Sequence, residues 1–244
     1  MLVRICTRSR LAAPFAAACL FVLPLSTKAA DILITELSTK SDVNPKDYFE
    51  LTNVGVASVD VSGWKFDDEH ASLPDAAPLV GITSIAPGES VVFFQLDETD
   101  PANPAYDPGT ETTLFRSYWG GLAGVQVGYH AGAGLGKGDA VSIFDAGDNL
   151  VAQQIYGMTD PEQTHAGDWA AGNFDGSDTY ENEAAVWVPG TNPPQFVLAA
   201  PGVYGSFANT SGEYGSPGTA SVPEPTTLLL TALSLLGLLA ARRR

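Results

Sequence analysis

From Asp31 to Ser221 no stretch repeats apolar residues at helical spacing; runs of strand length, closed by Gly and Pro, take their place. The first, Ile32-Leu33-Ile34-Thr35-Glu36-Leu37, is β-rich and partly alternating, as in a strand with one buried face. Beyond Asn44-Pro45, Tyr48, Glu50 and Thr52 alternate with Phe49, Leu51 and Asn53. Gly55 turns the chain, Val59-Asp60-Val61 alternates again, and Ser62-Gly63-Trp64-Lys65-Phe66 continues it. Pro87-Gly88 marks a turn before Ser90-Val91-Val92-Phe93-Phe94-Gln95. Val125-Gln126-Val127-Gly128-Tyr129, Ala140-Val141-Ser142-Ile143-Phe144 and Leu150-Val151-Ala152-Gln153-Gln154-Ile155-Tyr156 give three more strands, the last two joined by the hairpin-type loop Asp145-Ala146-Gly147-Asp148-Asn149. Seven or more short strands with such turns predict an all-β body, a sandwich or a barrel.

Charge divides the chain into three parts. Arg4, Arg8 and Arg10 precede an uncharged run over 11–25, shorter than the roughly 20 residues of a membrane span. Small residues follow, and residues 1–29 read as a secretory signal peptide, with an uncleaved signal anchor as the alternative. Cys6 and Cys19 both fall inside it. The body therefore holds no cysteine, which excludes disulfides, thiol catalysis and Cys-ligated metal. At the other end Val222-Pro223-Glu224-Pro225 precedes a Leu-rich run over 226–241 and then Arg242, Arg243 and Arg244. Sixteen apolar-run residues span about 24 Å as a helix, and snorkelling arginines absorb the mismatch with a bilayer. The three arginines would stay on the cytoplasmic side and leave the body outside. Between Asp31 and Ser221 five basic residues stand against 27 acidic ones, a charge of −22 against −16 for the whole chain. Such a body repels phosphate backbones, so nucleic acid is not its partner.

The order of signal segment, Pro-Glu-Pro motif, short Leu-rich helix and terminal arginines resembles the PEP-CTERM sorting signal of exported Gram-negative proteins. The resemblance implies an exosortase as partner, an integral-membrane cysteine protease that recognises the motif and processes the tail. A second likeness lies in the body. Ile34-Thr35-Glu36-Leu37, Asp47-Tyr48-Phe49-Glu50-Leu51-Thr52-Asn53-Val54-Gly55 and Val59-Asp60-Val61-Ser62-Gly63-Trp64 look like the opening of a lamin tail domain. Ile85-Ala86-Pro87-Gly88 is similar to that family's middle turn. Gly138-Asp139-Ala140-Val141-Ser142-Ile143-Phe144-Asp145, Leu150-Val151 and Tyr156-Gly157 are similar to its closing strands, and Gly215-Ser216-Pro217-Gly218 resembles its Ser/Thr-Pro-Gly close. The likeness implies an immunoglobulin-like β-sandwich over 30–221, followed by the sorting signal over 222–244. Insertions occupy 67–81 and 97–124, and 158–214 follows no pattern of the family. Trp64 is expected to fill the space between the sheets, and Glu50 and Asn53 to hold loop backbone.

Candidate chemistry is sparse. His70, His130 and His165 lack neighbouring ligands and read as exposed loop residues. No G-x-S-x-G elbow is present. Residues 132–138 are glycine-rich but lack the P-loop spacing and lead into a strand, so they read as a turn. The acidic loops 97–100, 145–149 and 173–183 offer oxygen ligands of the kind Ca²⁺ takes, without EF-hand spacing; solvated loops are the alternative. Phe115, Tyr118 and Trp119 either line a glycan-binding face or pack back onto the sandwich. The expected protein is exported and non-enzymatic, without cofactor. Its tail anchors it in the membrane before processing, and it then acts at the cell surface or in the extracellular matrix. Its role is structural or adhesive, with Ca²⁺-dependent or aromatic-loop binding of polysaccharide as the alternative.

Overall fold

The strand-length runs form strands. In a computed structural model describing residues 32–39, 46–68, 71–96, 107–132, 134–136, 139–156, 183–191 and 194–220 they are β1 (Ile32–Ser38), β2 (Tyr48–Asn53), β3 (Val59–Asp60), β4 (Lys65–Asp67), β5 (Ala77–Val80), β6 (Ser84–Ile85) and β7 (Ser90–Gln95). A helix, α1 (Pro108–Tyr118), precedes β8 (Gln126–His130), β9 (Asp139–Phe144) and β10 (Leu150–Tyr156). Four further strands close the described chain: β11 (Ala185–Trp187), β12 (Phe196–Leu198), β13 (Phe207–Ala208) and β14 (Tyr214–Gly215). The signal segment, the sorting motif and the apolar run 226–241 lie outside the described residues. Among the described residues no helix is long and apolar enough to cross a membrane.

Ten strands share one hydrogen-bonded ribbon in the order β10-β9-β4-β5-β8-β7-β2-β1-β11-β12. β5 divides it: Ala77 and Pro78 pair with β4, whereas Leu79 and Val80 pair with β8. The ribbon folds over at β5, so the short sheet β4-β9-β10 lies on the long one. Phe49, Leu51, Val91 and Phe93 from the long sheet meet Phe66, Val141, Ile143 and Tyr156 from the short sheet in one core, where the rings of Phe49 and Phe66 lie 4.9 Å apart. Trp64 joins this core as expected, because Ser62-Gly63 makes a turn, not a continuation of strand, and Gly63 takes φ +76°. Asn53 holds the preceding loop: Nδ2 donates to the carbonyls of Ala57 and Ile85, and Oδ1 accepts from Gly55 N–H.

The expectation of strands with one buried face needs correction. All six residues of β2 are buried, and five of the six in β7. The outer face of the long sheet carries a second core, in which Tyr48, Val92, Phe94 and Val127 are covered by Phe115, Trp119 and Leu122 and flanked by Val203, Phe207 and Tyr214. The covering layer therefore comes from the 97–124 insertion and from the 158–214 region, the two stretches without a recognisable pattern. α1 left no apolar stripe in the sequence because Phe115 is its one fully buried side chain. Its start is written in caps: Asp107 accepts from Thr110 N–H, Pro108 opens the first turn and Glu111 faces the positive end of the helix.

β8 runs parallel to β7, and Gly128 is the close approach in it. A Cβ there would stand 2.4 Å from the Val80 carbonyl and 2.8 Å from the Phe93 ring. Backbone on one side and a packed ring on the other leave no room to yield. Gly128→Ala is therefore expected to destabilise by about 2–3 kcal/mol, the range of overpacked cores, and an unchanged urea midpoint would contradict this packing.

Candidate functional site

The most chemically loaded place in the molecule is the outer face of β1 and β2. The two strands pair regularly up to Ile34↔Leu51, and the register then slips so that Glu36 stands opposite Glu50. This bulge at Thr35 brings Thr35 and Glu36 both to the outer face, where strict alternation would bury Glu36 in the sandwich core. Two carboxyl groups thereby face each other with no solvent exposure.

Their partners come from the same two strands and from a segment 168 to 180 residues further along the chain. Glu36 Oε1 accepts from Tyr48 O–H at 2.5 Å and from Ser216 N–H at 2.8 Å, and Oε2 accepts from Ser216 O–H at 2.7 Å. Glu50 Oε2 accepts from Gly218 N–H, and Oε1 shares a 2.5 Å hydrogen bond with Thr35 Oγ1. The hydroxyls of Thr35, Thr52 and Ser90 continue the chain across β1, β2 and β7 at 2.6 and 2.7 Å. Each residue of the closing segment fits one demand. At Gly215 a Cβ would fall 2.6 Å from the Trp119 ring and 2.7 Å from both Glu36 Oε1 and Tyr48 Oη. Ser216 supplies two donors. Pro217, which is buried, brings no N–H that would need an acceptor. Gly218 takes φ +82° and stands against Val125, where a Cβ would meet Cγ2 at 2.3 Å.

Burial pushes both carboxyls up, Glu36 to about 7 and Glu50 to about 8. Hydrogen bonds from Tyr48 and Ser216 counter the rise at Glu36, whereas the charge of Glu36 adds to it at Glu50. The Thr35 hydroxyl donates to Glu50 Oε1, and of the two coupled groups Glu50 is the one pushed higher, because the charge of Glu36 adds to the cost of its burial. Burial and the same two carboxylates push the Tyr48 hydroxyl well above its ordinary value, so it stays a donor. A carboxyl pair with split proton affinity can serve acid–base chemistry, but residues 215–218 and Tyr48 seal this one from any substrate. The arrangement is a clamp that fastens the closing segment onto the sheet.

His130, expected to be an exposed loop residue, is a core residue of β8. Its ring lies 4.3 Å from Phe66 and 5.5 Å from Phe49, and neither ring nitrogen has a hydrogen-bond partner among the described residues. Burial pushes it down to about 3, so it is neutral. His70 and His165 lie outside the described residues. Of the aromatic group, Phe115 and Trp119 pack back on Tyr48 at 5.5 and 5.7 Å and are buried, which removes them from any glycan-binding face; Tyr118 is half-buried beside them. Of the acidic loops, 145–149 is folded on itself. Asp145 Oδ1 accepts from Gly147 N–H, Asn149 N–H and Asn149 Nδ2, which holds its carboxyl below the usual range. Residues 97–100 and 173–182 lie outside the described residues, and among the described residues no three His, Cys, Asp or Glu side chains could together hold a metal. In the glycine-rich turn Leu135 N–H is anchored by Asp47 Oδ2 at 2.8 Å. The sorting residues Val222, Pro223, Glu224 and Pro225 and the arginines Arg242, Arg243 and Arg244 also lie outside the described residues.

Two opposing pH dependences follow. Glu36 and Glu50 bind protons more tightly folded than unfolded, so their contribution is complete below about pH 4.5 and is lost as pH rises through about 7 to 8. His130 is depressed, so its contribution is complete above pH 6.5 and is lost as pH falls toward about 3. Stability should therefore peak between these limbs. Glu50→Gln, whose amide oxygen can still accept from Gly218, is expected to flatten the alkaline limb; melting temperatures that fall as steeply as in the parent from pH 6 to 9 would refute the clamp's titration. His130→Leu is expected to flatten the acid limb between pH 6 and 4, read by the same melts, with Asp107 and Asp145 still contributing below it.

No curated protein matches the chain significantly. Two family models do. The PEP-CTERM protein-sorting motif matches residues 221–244, immediately after the clamped segment, and marks the chain for export and C-terminal sorting with an exosortase as the recognising partner. The Lamin Tail Domain matches residues 26–158, more than half of the chain, and its span contains β1, β2 and the strands of the short sheet. The folded-over ribbon, its Trp64-centred core and the matched span agree: this chain belongs to the lamin tail domain family.

Proposed function

We propose that this is an exported, non-catalytic β-sandwich whose tail anchors it in the membrane until an exosortase processes it, after which it serves a structural or adhesive role in the cell envelope or extracellular matrix. The observation that carries the reading is the sorting motif over 221–244, directly behind a body whose closing segment is already fastened at Ser216 and Gly218. Val222, Pro223, Glu224 and Pro225 are the residues the protease would read. Leu-rich residues 226–241 would hold the tail in the bilayer, and Arg242, Arg243 and Arg244 would keep its end cytoplasmic. Both matched families are of non-catalytic type, and the buried clamp offers no substrate a route to its carboxyls. An acidic, cysteine-free sandwich suits the outside of the cell, where its charge favours solubility and its fold needs no disulfide.

Replacing Pro223, Glu224 and Pro225 by alanine is expected to leave the intact tail on the exported protein, as read by intact-mass analysis from a host that carries an exosortase. Tail removal at the parental level in that variant would overturn the assignment.

A further inference from the structure

We propose that one particular end of the sandwich, the end from which residue 220 leaves, rests on the lipid headgroup surface of the membrane that holds the tail. The proposal builds on the anchoring reading above and adds which face of the body meets the bilayer.

Strand directions define that end. β1, β7, β8 and β10 begin there, and β2, β5, β9 and β11 finish there. The closing segment runs along the outer face toward it, from Gly215 beside Tyr48, through Ser216 on Glu36, to Gly218 on Glu50 and against Val125. Thr219 then turns back on the Ser216 carbonyl, to which its N–H and hydroxyl both donate. Thr226, where the apolar run begins, lies eight residues after Gly218. Fully extended, that stretch reaches about 28 Å, and part of its length crosses the headgroup layer. Ile32, the first described residue, lies at the same end, opposite Asn53. A tether this short, fixed by the clamp at one end of the body, keeps that end at high effective concentration against the surface.

Charge points the same way. At this end the exposed Asp60 and the half-buried Asp145 of the β9–β10 hairpin are charged, whereas the long-sheet connectors 54–58, 86–88, 123–125, 188–191 and the exit 216–220 hold no Asp, Glu, Lys or Arg. Val56 is 68% exposed, and Ala57, Ala86, Pro87 and Gly88 are exposed with it. Glu89, beside them, is tied to Ala86 N–H and to Gln126. On the short-sheet side Lys65 pairs with Asp148 at 2.7 Å. The connectors attached to the far end are acidic in sum: three Asp or Glu between Gln95 and Asp107 and six between Tyr156 and Glu183 stand against Lys40, Lys46 and Lys137 in the connectors 39–47 and 131–138. An anionic surface therefore repels the far end more strongly than the near one within a Debye length of about 8 Å.

The test uses the chain from residue 30 onward, which lacks the signal segment and holds no cysteine, so that one added cysteine carries the sole fluorophore. Val56→Cys reports the near end and Asp75→Cys the far end; both side chains are exposed, and circular dichroism checks that each variant folds. Each is reconstituted into phosphatidylcholine–phosphatidylglycerol vesicles carrying a nitroxide on the lipid headgroup, and floated. The expected result is loss of emission at position 56 and retained emission at 75. Equal loss at both positions, or none at 56 in chains that float, overturns the orientation and leaves the anchoring reading standing. Chains that do not float with the vesicles overturn both.

Discussion

Two like charges cannot be buried side by side unless something neutralises one and satisfies the other, and that constraint organises this molecule. Glu36 and Glu50 face each other on adjacent strands with no access to water. Taking such groups out of water costs several kcal/mol each before their partners are counted. Here one proton and the donors of Tyr48, Ser216 and Gly218 make the burial tolerable. Removing the closing segment would leave Glu36 with Tyr48 alone and Glu50 with neighbouring hydroxyls. The segment is thus as necessary to β1 and β2 as they are to it, although 180 residues separate Glu36 from Ser216. The pair adds little to stability compared with an apolar pair of the same shape; what it adds is selectivity, because one register and one closing sequence satisfy it.

The same constraint explains why the sandwich has a third layer. A bulge that turns Thr35 and Glu36 outward places polar groups on a face that must then be covered or wetted. It is covered. Trp119 reaches Tyr48 from the end of α1 and packs edge-on against Phe207, so the helix and the late strands meet over the clamp. β11 pairs with β1 and β12 with β11, which carries the sheet beyond the region matched by the family model. The cooperative unit is therefore longer than residues 26–158, and its outer layer joins α1, from within that span, to the late strands beyond it.

What was legible in the sequence was whatever depends on a single strand. Alternation placed β2, short apolar runs bounded by turn residues placed β7, β9 and β10, and Pro87-Gly88 placed the bend before β7. The clamp was not legible, because an acid within an apolar run looks the same whether it faces water or a partner strand. Glu36 in Ile34-Thr35-Glu36-Leu37 gave no sign that a bulge would move it across the sheet, and Glu50 was read only as a holder of loop backbone. α1 was missed because a helix that buries one side chain carries no periodic stripe. His130 was misplaced because its neighbours in sequence are polar and small, whereas its neighbours in space, Phe49 and Phe66, come from two other strands. The sorting motif was legible for the opposite reason: it is matched as a linear string over residues 221–244 and needs no partner from elsewhere in the chain.

The position of the clamp relative to the motif has a consequence for processing. Every hydrogen bond that fastens the closing segment involves residues up to Thr219, and the motif begins at Val222. Cleavage at the motif or beyond removes none of the groups on which Glu36 and Glu50 depend. A body folded before processing therefore loses no described contact when its tail is cut. In a body not yet folded, Ser216 and Gly218 are still part of an open chain, and cutting the tail then releases a molecule whose two carboxyls lack their donors. Two residues of separation, Ala220 and Ser221, keep the hydrogen bonds of the fold clear of the motif.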